Sequence, residues 1–395
     1  MKYILIISAV FPPEPVVSAK LSYDIACAIR NLGQLVKVIH PEPTRPLGFK
    51  YESYSVGQLG EDEVTMESYT CPQSSIIGRI RESWSFGKAC EKYIKEHRDD
   101  ILCIYANTWP MFSQKAIVKV ANQYNLPCII HVQDVYPESL ANKLPGILGG
   151  IVKLMLTPMD KYILRHCDKV VAISNKMKNY LVRTRNVEKE KISVVINWQD
   201  EKNFINYQNI ETMSLFTFMY MGNIGPVAGV DLLIDAFAEA DLKNARLVIA
   251  GSGSMKDTLR QRAQPYKNIE FWEVPDGKVP EIQAQADVML LPIKKGAAGS
   301  SIPSKLPAYM FSAKPIIGCV DKDSDTSNAI EDSKGGWIVE PENVKSLADK
   351  MLEVSLLDRG KLKSFGGNAL KYGIEHFSKS KNLPKLVDVI LANTN

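Results

Sequence analysis

Residues 300–315, SSIPSKLPAYMFSAKP, place Ser300, Ser301, Pro303, Ser304 and Lys305 ahead of an apolar run, and no acid occurs among them. A helix start of this kind offers unpaired backbone N–H groups and the positive end of the helix dipole. Lys305 adds a full charge beside them. Such a group can hold an anion and stabilise charge that grows on it. Two glycine-bearing turns could share that work. In YMGNIGPVAGVDLLIDAF (220–237), a strand, a turn containing Asn223 and an amphipathic helix follow one another. Gly222 and Gly225 would let a diphosphate lie close to the main chain there. In GSGS (251–254), after the strand-like ARLVIA, Gly251 and Gly253 allow close backbone approach, and the amides around Ser252 can receive an anion. A plain strand-to-helix turn explains GSGS equally well. Val274, in the loop FWEVPDGK, could stack on a base or sugar ring, or be a core residue.

The amino-terminal half offers carboxylates and hydroxyls. Asp134 and Glu138 lie in QDVYPES just after a strand, where a carboxylate faces the ligand side of an open sheet. The alternative for both is a helix cap or an ion pair to the scaffold. His131 lies inside that strand and reads as core. Ser174, in AISN, is placed to cap the next helix. Glu14, in FPPEP, and Ser18 lie in the loop after the first strand.

These side chains need a frame, and the hydrophobic pattern supplies one. YILIIS, VKVIH, ILCIYA, PCIIHV, KVVAIS and ISVVIN form a first series of strand-like runs. FTFMYMG, ARLVIAG, IEFWEV, DVMLLP, KPIIGCV and GWIVE form a second. Amphipathic stretches separate most of them. That alternation predicts parallel sheets covered on both faces, and two series predict two doubly wound α/β domains. The polar, aperiodic segment 197–214 marks the seam.

Composition narrows the classes. A chain of 395 residues with 45% hydrophobic and 23% charged content can bury two cores. The opening KYILIISAVF is too short to span a membrane and runs into periodic structure, so it reads as a strand. Seven cysteines without CxxC spacing read as reduced thiols. The turn after the first strand, SAVFPPEPVVSAK, lacks G-x-G-x-x-G, which disfavours a dinucleotide oxidoreductase. No P-loop and no His/Cys cluster at metal spacing occurs. Net charge is +4, yet residues 145–191 hold ten Lys/Arg against four Asp/Glu. No aromatic binding signature accompanies them, so nucleic acid is not expected. This stretch predicts a scaffold helix broken near Pro158, or a patch facing an anionic membrane.

In order and spacing these pieces resemble the family 4 retaining glycosyltransferases of the GT-B fold, over essentially the whole length. YMGNIGPVAGVDLLIDAF, LVIAGSGSMKDTLR, VPEIQAQADVMLLP and AYMFSAKPII resemble the family's second half, and HVQDVYPES and VVAISNKMKNYLV its first. G-N-x-G together with I-P-S-K-L is similar to the branch that builds O-antigens, capsules and exopolysaccharides. The resemblance implies two Rossmann-like domains facing each other across a cleft: residues 1–200 for acceptor, 201–378 for nucleotide sugar, and a helix over 379–395 packing back on the first domain. It implies transfer with retention from a nucleotide diphosphate sugar, UDP-linked rather than GDP-linked, to a lipid-linked or growing surface polysaccharide. The enzyme would be cytoplasmic or peripheral on the inner membrane face, and would use no metal or other cofactor.

Carried onto this chain, the resemblance implies catalytic roles for Lys305 and Asp134. The diphosphate would lie on Gly222, Asn223, Gly225, Ser301 and Ser304. The nucleotide would lie on Gly251, Ser252, Gly253, Val274 and Ser300, and the acceptor on Glu14, Ser18, Glu138 and Ser174. Four positions depart from the family. Its two glutamates fall at Ser300 and Ala308, and its usual Arg and Lys at Asn223 and Ala228. Lys305 is then left to neutralise phosphate, and either the ribose is held differently or activity is altered. A nucleotide-sugar 2-epimerase of the same architecture and a catalytically weak binding relative are the competing readings.

Overall fold

A computed structural model describes residues 2–45, 59–73, 75–107, 111–142, 144–207, 215–296 and 302–394. The chain divides into two compact units, Met1–Asn197 with Asn382–Asn395, and Trp198–Lys381.

The first unit carries strands β1 (Tyr3–Ser8), β2 (Val36–Pro41), β3 (Glu63–Met66), β4 (Ile101–Asn107), β5 (Cys128–Val132), β6 (Lys169–Ala172) and β7 (Ile192–Val194). They form one parallel sheet in the order β3-β2-β1-β4-β5-β6-β7. Between them run helices α1 (Val17–Asn31), α2 (Ile76–His97), α3 (Met111–Gln123), α4 (Glu138–Ala141), α5 (Gly146–His166) and α6 (Asn175–Arg185). Every residue of β1 is buried, as a strand sandwiched between helix layers must be. Strand order reverses at β1 and β4, which puts the loops after β1, β4 and β5 at the edge where such sheets bind ligands.

The second unit repeats the plan with β8 (Phe216–Met221), β9 (Ala245–Ala250), β10 (Ile269–Trp272), β11 (Val288–Pro292), β12 (Ile316–Cys319) and β13 (Gly336–Val339), ordered β10-β9-β8-β11-β12-β13. Its helices include α7 (Lys202–Ile205), α8 (Val230–Ala240), α9 (Lys256–Ala263), α10 (Val279–Gln283) and α11 (Lys305–Phe311). Here the order reverses between β8 and β11, beside the turns that follow β8 and β9.

All twelve strand-like runs are strands. The one missed, β3, is four residues long and incompletely buried at a sheet edge, so it carries little hydrophobic pattern. A second correction concerns Pro158: α5 is not broken there but continues from Gly146 to His166. Proline removes the bond to the carbonyl four residues back. Pro158 and Leu154 both lie on the exposed side of α5, where solvent can take that carbonyl.

Candidate active site

The turns after β8 and β9 are sewn together. The Gly222 N–H donates to the Ala250 carbonyl (3.0 Å), Ile224 N–H to Ser252 (2.8 Å), and Met255 N–H to Ile224 (3.0 Å). No side chain fits at the contact. A Cβ on Gly251 would lie 2.2 Å from the Gly222 carbonyl oxygen, and one on Gly253 would lie 2.3 Å from that of Ile224. Both have positive φ, +131° and +155°, which glycine alone adopts freely. The Asn223 amide lies over Gly225, its Nδ2 3.2 Å from where a Cβ would sit. This stitching corrects one expectation. The amides of Gly222 and Gly251 are already used, the latter on the Trp272 carbonyl (3.1 Å), so they cannot also face an anion. Among the described residues, the amides of Ser252 and Gly253 have no such partner.

Lys305 crosses this floor. As the first residue of α11 it lays its chain over Gly222, where a Cβ would come 2.1 Å from the lysine Cε. Its Nζ stands 5.6 Å from the centre of the Tyr220 ring, within cation–π range. The Tyr220 hydroxyl donates to the Asn223 carbonyl (2.6 Å). One turn along α11, the Tyr309 hydroxyl donates to the Met221 carbonyl (2.8 Å) and accepts its N–H (2.9 Å). The helix is thereby pinned to the end of β8. Among the described residues the Lys305 ammonium meets no carboxylate, and burial lowers its pKa. A half-buried ammonium favours a negatively charged neighbour, because burial penalises an unpaired charge.

The other predicted residues of this unit sit around that core. Ser304 is exposed at the start of α11, its hydroxyl makes no capping bond, and its carbonyl accepts from Gln199 Nε2 (2.5 Å). Val274 is partly buried in the loop after β10. Ser300 and Ser301 lie outside the described residues. Sequence reasoning missed Tyr220, Tyr309 and Lys256. Lys256 Nζ braces the turn after β9 through the Gly251 carbonyl (2.8 Å) and Glu273 Oε1 (2.5 Å); a lysine just past GSGS was the available signal.

Ala308 is 7% exposed on α11. Ala308→Glu would bury a carboxylate without a partner and should lower unfolding stability by roughly 1–3 kcal/mol. Donor affinity, measured by nucleotide titration of the folded variant, should stay level or fall. A large gain would show that the ribose still rests against this position.

In the first unit, Asp134 is exposed in the loop after β5. Glu138 is committed to the scaffold. Its Oε2 accepts from Arg185 Nη2 (2.5 Å), and its Oε1 accepts from the Tyr180 hydroxyl (2.6 Å) with Lys153 Nζ 3.5 Å away. Arg185, 1% exposed, also donates to Asp160 (2.5 Å) and to the Tyr136 carbonyl (2.9 Å). Burial pushes the Glu138 carboxyl up, but the bonds from Tyr180 and Arg185 outweigh it and hold it below its ordinary value. The acceptor role expected of Glu138 gives way because a buried guanidinium requires carboxylates around it. Ser174 caps α6, accepting the Met177 N–H (3.1 Å), and Ser18 donates to Gln133 Oε1 (2.7 Å). His131 is buried against the Tyr105 hydroxyl (2.6 Å), and burial lowers its pKa to about 3.

Glu14 is buried too. Its Oε1 accepts the N–H groups of Thr44 (2.7 Å) and Arg45 (2.9 Å), while Oε2 has no partner among the described residues. Burial raises its pKa from 4.5 to about 7, against the opposing bond from Thr44. The folded chain thus holds this proton more tightly than the unfolded chain. The resulting stability is present below pH ~4.5 and lost as pH rises through ~7. Glu14→Gln should remove this component. The drop in unfolding free energy between pH 5 and pH 8, read by urea titration, should shrink by about 2–3 kcal/mol relative to wild type. An unchanged drop would mean that Glu14 is ionised throughout.

Two doubly wound parallel α/β units are the architecture of the GT-B glycosyltransferases. Residues 19–202 match the family model described as Glycosyltransferase Family 4, and residues 216–356 match Glycosyl transferases group 1. These two matches take in most of the chain, which belongs to that family. It is 25% identical over 272 residues to the "Probable glycosyltransferase WbjE" of Pseudomonas aeruginosa, covering 65% of this chain and 66% of that protein. It is 23% identical to WcaI of Escherichia coli, named as a colanic acid biosynthesis glycosyl transferase, over 90% of this chain and 93% of that one. Among solved structures, Anabaena Alr3699/HepE in complex with UDP superposes with a TM-score of 0.72 at 15% identity, covering 99% of this chain and 100% of that one.

Proposed function

We propose that this glycosyltransferase moves a sugar, with retention, from a UDP-linked donor to a lipid-linked or growing cell-surface polysaccharide on the cytoplasmic side of the membrane. One observation carries the reading: Lys305, without a counter-ion among the described residues, lies across the glycine floor of the second unit. A diphosphate is the ligand that such a site suits, because it carries the missing charge and can approach the bare main chain. The name of WcaI, a colanic acid biosynthesis glycosyl transferase, supports a polysaccharide product, and the UDP complex of HepE supports the nucleotide.

Departure of the sugar leaves negative charge on the diphosphate. In this reading Lys305 meets that charge, and its posture over Gly222 supports the reading because little reorganisation is needed. With Glu138 spent on Arg185, Asp134 is the remaining predicted carboxylate at the loop after β5, and it is proposed to orient the acceptor hydroxyl. In a retaining course the leaving diphosphate itself takes the hydroxyl proton as the new bond forms on the same face. The pure protein should be incubated with a panel of nucleotide sugars and followed by mass spectrometry. The expected result is nucleotide release from a UDP-sugar that depends on added acceptor. An epimerised sugar without acceptor would favour the isomerase reading, and binding with neither reaction would favour the inactive relative.

A further inference from the structure

Polar side chains gather at the carboxyl edge of the first sheet and end at a small cavity. Ser8 Oγ, at the end of β1, bonds to Ser22 Oγ of α1 (2.8 Å), and Asn107 Nδ2, at the end of β4, donates to the same Ser22 hydroxyl (3.0 Å). One turn earlier on α1, Ser18 donates to Gln133 Oε1 (2.7 Å). Between β4 and β5, the Tyr105 hydroxyl lies 2.6 Å from His131 Nδ1. Two buried nitrogens of this group have no partner among the described residues, His131 Nε2 and Gln133 Nε2. Buried polar atoms are rarely left so, and an exception asks for an occupant.

Both residues line one cavity of about 20 Å³, with Asn107, Asp134 and Asp160 also on its wall. Such a space holds a single water or hydroxyl oxygen. Burial keeps the His131 ring neutral, its pKa lowered to about 3. The Tyr105 hydroxyl has no other acceptor among the described residues, so it donates to Nδ1 and leaves the ring proton on Nε2. The Gln133 carbonyl is taken by Ser18, which turns the amide nitrogen the other way. The cavity therefore offers two N–H donors to one oxygen, with carboxylates beside them. An anion would meet the Asp134 carboxylate, and a cation would meet two donors. A hydroxyl suits both, because its oxygen accepts while its proton goes to a carboxylate.

We infer that this cavity is a subsite for one neutral hydroxyl of the acceptor, adjacent on the ring to the hydroxyl that receives the sugar, with Gln133 and His131 as its donors. The inference rests on the transfer reading above, in which Asp134 orients the attacking hydroxyl. Asp134 lines the same cavity, so the two oxygens are neighbours on one sugar. Gln133 and Asp134 both follow β5 at the carboxyl edge, where open sheets take ligands. The substrate class narrows accordingly: the acceptor ends in a sugar with two free adjacent hydroxyls, and phosphate or a missing oxygen at the second position is rejected. A water in the free protein is readily displaced by an oxygen that repeats its bonds.

Full-length wild type and Gln133→Met should be titrated with the methyl glycosides of glucose, galactose, mannose and rhamnose, following the ring nitrogens of His131 by NMR. His131 is recognised as a ring that stays neutral at pH 5. At least one glycoside is expected to move its Nε2 resonance, and the analogue lacking one hydroxyl should bind about tenfold or more weakly. In Gln133→Met the parent glycoside should fall to the level of that analogue, with no further loss on deoxygenation. Ser18→Ala, which frees the amide to turn, should show a smaller loss in the same direction, and circular dichroism checks that each variant is folded. Absence of a shift with every glycoside would assign the cavity to a structural water and overturn the inference. Deoxy analogues that bind as well as their parents would overturn it too. UDP titration of the same samples keeps the donor reading separate: UDP binding without a glycoside shift contradicts the subsite alone, and a glycoside shift without UDP binding contradicts the donor reading alone.

Discussion

Lys305→Ala is expected to lower turnover by about 10²–10³, with a smaller loss of donor affinity. Asn223 and Ala228 carry no charge, and the Gly222 and Gly251 amides are occupied by the fold. For a diphosphate on this turn only partial dipoles from Ser252 and Gly253 remain, so under the proposal Lys305 bears most of the neutralisation. Its contribution grows as the sugar leaves, and only that differential part accelerates chemistry. Lys305→Arg should recover little, because the planar fork differs from a point charge and the space over Gly222 is already filled. Gly222→Ala tests the same point from below. Its Cβ would overlap the lysine Cε, so the ammonium must move, and turnover should fall although the lysine is intact. Steady-state kinetics with saturating donor reads all three. Near-normal turnover in a folded Lys305→Ala protein would move the phosphate site elsewhere, with Lys294 or Lys295 next.

The second large effect is on stability. Arg185→Ala should destabilise the first unit by about 3–5 kcal/mol, because it strands Asp160 and Glu138 in a buried setting. Replacing Arg185, Asp160 and Glu138 together with apolar residues should cost clearly less than the single change, since a buried triad gains little over good packing. Denaturant unfolding of both variants checks this. A triple variant less stable than Arg185→Ala would mean that the network contributes net stability.

The central strands were legible because buried parallel strands must be continuously apolar; β7, β10 and β13 also lie at sheet edges but keep apolar runs, whereas β3, EVTM, does not. The glycines at 222, 251 and 253 were legible as close-approach positions. Sequence could not show that what approaches is partly the chain itself, because amide pairing between two turns depends on how β8 and β9 align. Glu138 illustrates the opposite limit. Its partner Arg185 lies 47 residues away, and nothing local distinguishes a ligand carboxylate from one spent on a buried arginine. Tyr220 and Tyr309 read as ordinary core aromatics. Their hydroxyls position the lysine site only because α11 crosses the end of β8.

The proposed function requires the donor diphosphate to lie against Lys305, and a structure of the protein with UDP decides it. A phosphate oxygen is expected within about 3 Å of Lys305 Nζ, above Gly222 and near the amides of Ser252 and Gly253. A nucleotide bound elsewhere in the second unit, or a diphosphate with Lys305 turned away from it, would overturn the proposed role of Lys305.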